Sequence, residues 1–266
     1  MAEASPYVLA LQGTGLTYGL TAIGAAFVFL RRSPNPKFLA TSLGFAAGVM
    51  IAASFWSLLA PAIQISQREG LRPYVWPPFG FISGALLMRL LDQLLPHLHP
   101  GAGLEEVEGI KVKLPKNILL ILAITIHNFP EGMAVGVGFS GAQSAIGVAD
   151  LSAAWALAIG IGIQNLPEGL AVSMPLREEG FGRFKSFFYG QLSGLMEPLG
   201  GLLGVAISNL AGVFLPFMLS FAAGAMIYVV VEEVIPGSQR SGHHDWATMG
   251  TILGFVCMMV LDVALG

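Results

Sequence analysis

Apolar runs of about twenty residues follow one another along this chain, with only short polar segments between them. Eight runs stand out, over roughly 7–30, 38–63, 75–96, 117–140, 152–176, 186–209, 213–235 and 246–265. A helix rises 1.5 Å per residue, so about 20 apolar residues cross the hydrocarbon core of a bilayer. The breaks have turn and charge chemistry, as in "RRSPNPK", "QREGLRP", "REEGFGRFKS" and "SQRSGHHDW". The longest is "HLHPGAGLEEVEGIKVKLPK", between the third and fourth runs. No stretch is left for a soluble domain. The pattern predicts an all-α membrane protein, one polytopic domain over residues 1–266 with eight transmembrane helices.

Composition agrees with the pattern. The chain of 266 residues is 55% hydrophobic and 11% charged, with 34 glycines, and its mean hydropathy is +0.73. These values belong to membrane proteins rather than soluble domains. The net charge of −3 says little about partners, because in such a chain the placement of charge matters more than its sum; no nucleic-acid partner is expected. One cysteine, Cys257, excludes an internal disulfide and a thiolate metal cage. The start, "MAEASPYVLALQG", lacks the basic segment of a secretory signal and reads as leading into a retained span.

Charge placement predicts orientation. Arg31, Arg32, Lys37, Lys111, Lys113, Lys116, Arg177, Arg183, Lys185 and Arg240 fall in or beside the loops after spans one, three, five and seven. The other side has Arg68 and Arg72. Positive loops stay in the cytoplasm, so both termini are expected outside it.

The chain also repeats itself. "FAAGVMI" (45–51) in span two returns as "FAAGAMI" (221–227) in span seven, and "LLDQLL" (90–95) in span three is echoed by "VLDVAL" (260–265) in span eight. "HNFPEGMAVGV" (127–137) and "QNLPEGLAVSM" (164–174) match 37 residues apart in spans four and five. Each pair crosses in opposite directions. That predicts an inverted repeat, spans 1–3 against spans 6–8 around a central pair, a 3+2+3 arrangement frequent in secondary transporters.

The doubled motif carries the chemistry. Residues i, i+3 and i+4 share a helix face, so His127, Asn128 and Glu131 project together, as do Gln164, Asn165 and Glu168. Pro130 and Pro167 remove a helical N–H, and are expected to kink both helices. Gly132 and Gly169 permit close helix approach. A carboxylate at the bilayer centre costs about 2.5–3.5 kcal/mol on the gentler insertion scale, and two facing ones repel. A divalent cation between them offsets both costs. One imidazole with carboxylates and amide oxygens suits Zn²⁺, Cd²⁺, Fe²⁺, Mn²⁺ or Co²⁺. Glu197, in "GLMEPLGG" of span six, is a third buried carboxylate and a candidate for a second, oxygen-rich site. The bland alternative is interhelical hydrogen bonding among these groups. A metalloenzyme would need more imidazoles and an open coordination position, and a metal-binding sensor would lack flux.

"HNFPEG", "QNLPEG" and "MEP" together resemble the Zrt/Irt-like (ZIP) family of divalent-metal transporters, above all its bacterial GufA-like branch, along essentially the whole chain. The resemblance implies eight spans with outside termini, a homodimer in the plasma membrane (for this branch a bacterial inner membrane), and movement of zinc and related metals into the cytoplasm. It implies a binuclear metal site between spans four and five and no organic cofactor. By position, His127, Glu131, Gln164 and Glu168 would hold the first ion; Asn128, Asn165, Glu131, Glu168 and Glu197 would line the second; Met50 would offer a thioether to the first. Two positions depart from many members, Gln164 standing for His and Glu232-Glu233 for His-Glu.

Further candidates lie along an expected path. Glu232 and Glu233 precede Pro236 near the cytoplasmic end of span seven, and Asp262 lies near the outer end of span eight. His97, His99, His243 and His244 fall in cytoplasmic loops, where histidines are ordinarily solvated.

Overall fold

The computed structural model describes residues 4–31, 33, 35–97, 109–110, 116–143, 150–208 and 214–265. They form eight helical rods. Span one is α1 (Pro6–Ala25) with a 3-10 turn, Ala26–Phe29. Span two joins α2 (Pro36–Ala53), a π turn (Ser54–Leu59) and α3 (Ala60–Arg68). Spans three, four and five are α4 (Trp76–Leu94), α5 (Lys116–Ala142) and α6 (Leu151–Glu178). Span six is α7 (Arg183–Leu192), a 3-10 turn (Ser193–Leu195) and α8 (Met196–Ser208). Span seven is α9 (Leu215–Val229), a π turn (Val230–Val234) and α10 (Ile235–Gln239), and span eight is α11 (His244–Leu265).

The ends of the rods follow from local chemistry. Ser5 and Asn35 cap α1 and α2 by accepting from Val8 N–H and Lys37 N–H, each with proline in the first turn. Asp150 caps α6 by accepting from Ser152 N–H at 3.4 Å. Gly70 and Gly180 adopt φ of +67 and +95. That left-handed step lets Leu71 N–H and Phe181 N–H reach back to the Ser66 and Leu176 carbonyls at 2.9 and 3.1 Å.

Among the described residues, three rods are long and apolar enough to cross a membrane by length and composition: Pro36–Arg68, Leu215–Gln239 and His244–Leu265. The others carry the polar load. Helix α1 holds Gln12, Thr14, Thr17 and Thr21, α4 holds Arg89, Asp92 and Gln93, and α5 and α6 hold the repeated motif.

Packing reproduces the inverted repeat. The most extensive pairings are α1 with α6, α5 with α8, α2 with α11 and α4 with α9. Exchanging spans one and six, two and seven, three and eight, and four and five turns the first pairing into the second and the third into the fourth. Single contacts follow the same exchange. A Cβ on Gly254 would stand 2.0 Å from the Phe45 carbonyl oxygen, and one on Gly84 would stand 1.9 Å from that of Phe221. Phe45 and Phe221 open the two "FAAG" segments. The two π turns begin nine residues later in both copies, at Ser54 and Val230, with Pro61 and Pro236 following. An inserted residue of this kind is common at functional sites.

The bundle therefore has two units. Spans one, four, five and six form one; spans two, three, seven and eight form the other. They meet where α2 packs on α6 and where α5 packs on α9, two contacts that the same exchange relates. An apolar cluster including Met50, Leu58, Phe139, Leu157, Leu219 and Met226 fills the bundle core.

Candidate metal site

Helices α5 and α6 run through Pro130 and Pro167 as unbroken elements. The lost backbone bond is tolerated because neighbouring rods hold each helix tightly on both sides of the proline. Gly132 lies against the Glu197 backbone, where a Cβ would come within 2.1 Å of its carbonyl oxygen. Gly169 lies against Thr21 at the same 2.1 Å. The two PEG glycines thus bring span six to span four and span one to span five at repeat-related points.

This packing gathers the predicted residues. His127, Asn128, Glu131, Gln164, Asn165, Glu168 and Glu197 are all buried, none more than 4% exposed. Asn165 Nδ2–H donates to Glu197 Oε1 at 2.9 Å and to the Thr17 carbonyl at 3.4 Å. Thr21 Oγ1–H donates to the same Glu197 oxygen at 3.3 Å. Gln164 Nε2–H donates to Asn165 Oδ1 at 2.6 Å. Glu131 lies within electrostatic range of Glu168 and Glu197.

These bonds leave a characteristic remainder. Both carboxylate oxygens of Glu131 and of Glu168, Glu197 Oε2, Gln164 Oε1 and both amide atoms of Asn128 are buried without a hydrogen-bond partner. All but one are oxygens. An unsatisfied buried polar atom costs about 1–3 kcal/mol, more when charged, and such atoms are rare in native interiors. Carboxylate and amide oxygens are the donor types that hard and borderline cations take. Among the described residues, no three His, Cys, Asp or Glu side chains form a metal-holding group by themselves. The amides of Asn128, Gln164 and Asn165 are integral to this polar core.

Two openings flank it. His127 Nδ1 is hydrogen-bonded to Glu233 Oε2 at 3.1 Å. A small cavity of about 40 Å³ there is lined by His127, Glu168 and Glu233 together with Leu43, Ala171, Val234 and Gly237. At the other end, Ser57 Oγ–H lies 2.8 and 2.9 Å from the two oxygens of the buried Asp262. Both residues line a larger cavity of about 290 Å³ that also meets Gln64, Asp150 and Leu157.

The remaining candidates lie around this core, His97 within electrostatic range of His127 and Glu233. Met50 is fully buried, as is its counterpart Met226. Glu232 is exposed; His244 is exposed and His243 half-buried around the start of α11. His97 departs from the expectation of a solvated loop histidine, being buried at 1% exposure. Its Nε2 stands 3.0 Å from Asp92 Oδ1 and its Nδ1–H donates to the Leu95 carbonyl at 2.9 Å. Burial pushes its pKa down, but the Asp92 carboxylate and the Leu95 carbonyl outweigh burial and raise it to about 9. His99 lies outside the described residues.

Sequence reading missed Thr17 and Thr21. Threonine in a membrane helix commonly bonds its own backbone, so their part in the site is invisible until span one is placed. One signal exists: Thr21 and Glu197 are 176 residues apart, the spacing that separates Phe45 from Phe221.

Comparison with known proteins now fixes the family. A family model described as "ZIP Zinc transporter" matches residues 104–262. The chain belongs to the ZIP family. It is 42% identical to the human protein named zinc transporter ZIP11, over 97% of both chains. It is 40% identical to zinc transporter ZIPB of Bordetella bronchiseptica, covering 97% of this chain and 81% of that one. It is 37% identical to zinc transporter GufA of Myxococcus xanthus, covering 96% of this chain and all of the relative. The GufA-like resemblance read from "HNFPEG" and "QNLPEG" therefore holds across the chain, with relatives in both bacteria and vertebrates. Membership in a family of transporters sets the metalloenzyme alternative aside.

Proposed function

We propose that this ZIP-family protein carries Zn²⁺ across the plasma membrane into the cytoplasm by alternating access, with the ion as cargo at the span four–span five site. One observation carries the reading: the buried, partnerless oxygens of Glu131, Glu168, Glu197, Gln164 and Asn128 lie on packed helices inside a membrane bundle, with Glu131 within electrostatic range of both other carboxylates. His127, Glu131, Gln164 and Glu168 draw together around the first ion when it binds, closer than they stand in this structure. Asn128, Asn165 and Glu197 extend the set to a second, with Thr21 and Asn165 orienting Glu197. Met50 approaches the first from span two. Cadmium, iron, manganese and cobalt share enough ligand chemistry to compete.

The ion enters past Asp262 and Ser57 and leaves past His127 and Glu233, where an imidazole already held by a carboxylate can hand metal on. Basic loops place that exit in the cytoplasm and both termini outside. The two helix units shift against each other, because the site belongs to one unit while Ser57 and Glu233 belong to the other. The functional protein is a homodimer of single-domain chains, and needs the lipid bilayer but no nucleic acid.

Reconstitution in liposomes enclosing a zinc-sensitive dye tests this. External Zn²⁺ should give a rising internal signal that Glu131→Ala and Glu168→Ala abolish. Equal flux in wild type and both variants would remove the site; bound metal without flux in the wild type would favour a sensor.

A further inference from the structure

The inverted repeat relates residues by fixed spacings. A spacing of 176 takes Thr21 to Glu197, Phe45 to Phe221, Ser54 to Val230 and Ser57 to Glu233, while 37 takes His127 to Gln164. Thus the bond from His127 of span four to Glu233 of span seven, 3.1 Å long, has a definite counterpart. It is Gln164 of span five with Ser57 of span two. In this structure the counterpart is unmade. Ser57 donates instead to Asp262, and Gln164 Oε1 is buried without a partner.

We propose that Ser57 and Gln164 meet in the oppositely facing state, when the His127–Glu233 bond has opened. Two inverted halves can exchange conformations, and each half then makes the contact the other made before. The chemistry fits without further partners. Ser57 brings a hydroxyl donor, and Gln164 brings the carbonyl acceptor that lacks one. Both pairs bridge the two units, span two to span five and span seven to span four, and in each the partner on the second unit, Ser57 or Glu233, sits on a π turn, a device common at functional sites.

The two contacts are unequal. One joins an imidazole to a carboxylate, the other a hydroxyl to an amide, and bonds to charged groups are roughly twice as strong as neutral ones. The state seen here therefore holds the stronger of the two contacts, and Ser57 and Gln164 act as positioning residues that hold the other state more weakly. This rests on the alternating-access reading above.

Paired cysteines test it, in a Cys257→Ala background with a short bifunctional thiol reagent applied to native membranes. Ser57→Cys with Asp262→Cys should link strongly, which verifies the fold. Ser57→Cys with Gln164→Cys should also link, and adding Glu233→Ser, which opens the competing bond, should raise its yield at least threefold. No 57–164 link in membranes where the 57–262 pair links would overturn the inference, as would a yield unchanged by Glu233→Ser. Zinc uptake by the wild type is read separately: uptake without the link sinks this contact alone, whereas absent uptake sinks the transport reading.

Discussion

The two helix units are built from the same packing device and hold opposite contents. In the unit of spans two, three, seven and eight, glycine faces backbone at Gly84 and Gly254, and the surface beside it is buried alanine and methionine with half-buried phenylalanine. Its acids stand toward the rod ends, Asp92 with His97 and Asp262 with Ser57. In the unit of spans one, four, five and six, Gly132 and Gly169 make equally close contacts, but what they seal in is Glu131, Glu168, Glu197, three amides and a stripe of threonine. Lipid tails give helices no hydrophobic reason to associate, so close backbone approach must do that work in both units. The difference is that one unit's tight seams also bury polar groups whose oxygens lack hydrogen-bond partners, the groups proposed above to hold an ion. On the proposed function, one is a frame and the other a container.

Breaking the container should far outweigh breaking the frame's polar surface. Glu131→Ala or Glu168→Ala should lower zinc uptake about a hundredfold, the scale of roughly 2.7 kcal/mol. Glu232→Ala, at an exposed carboxylate of the frame, should change initial rates in liposomes less than about twofold, the range of solvated surface groups.

Closing the seams sharpens the contrast. Gly132→Val and Gly84→Val both force a side chain onto backbone within about 2 Å, and overpacking typically costs about 1–3 kcal/mol. Thermal unfolding in detergent should register both. Flux per folded molecule should collapse for Gly132→Val alone, because the backbone it displaces belongs to Glu197.

Single hydroxyls come next. Thr21→Val removes a donor to Glu197, and the loss of about 1 kcal/mol predicts a severalfold weaker zinc affinity by titration calorimetry. Ser220→Ala in the frame removes a bond only to the Pro216 carbonyl within its own helix, and should leave zinc affinity unchanged.

The smallest effect is a pH dependence at the loop after span three. The pKa of His97 is raised above its ordinary 6.5 to about 9. Its contribution to stability is therefore complete below pH 6.5 and is lost as pH rises through about 9. Hydrogen exchange near residues 95–97 should quicken between pH 7 and 10, after correction for intrinsic rates. Asp92→Asn should flatten that change.

Much of this was legible in the sequence because its signals are local. Twenty apolar residues must form a helix in lipid, where every backbone group needs an internal partner. Helical spacing then puts Asn128 and Glu131, or Asn165 and Glu168, on one face whatever the neighbours do. Pro130 and Pro167, where kinks are expected, lie inside helices that continue on both sides of them. The π turns at Ser54 and Val230 and the 3-10 turn at Ser193 left no compositional trace, because each depends on how a rod meets its neighbours.

The amino-acid order alone determined the eight rods, the doubled motif, the repeat and the carboxylates that a membrane interior tolerates only for a purpose. Tertiary structure decided which groups satisfy one another: that Thr21 and Asn165 share Glu197, that His127 is held by Glu233, and that His97 folds inward onto Asp92. Helical periodicity fixes a face on one rod, but a hydrogen bond between rods depends on rotation and depth of both. Those are set by packing across residues far apart in the chain.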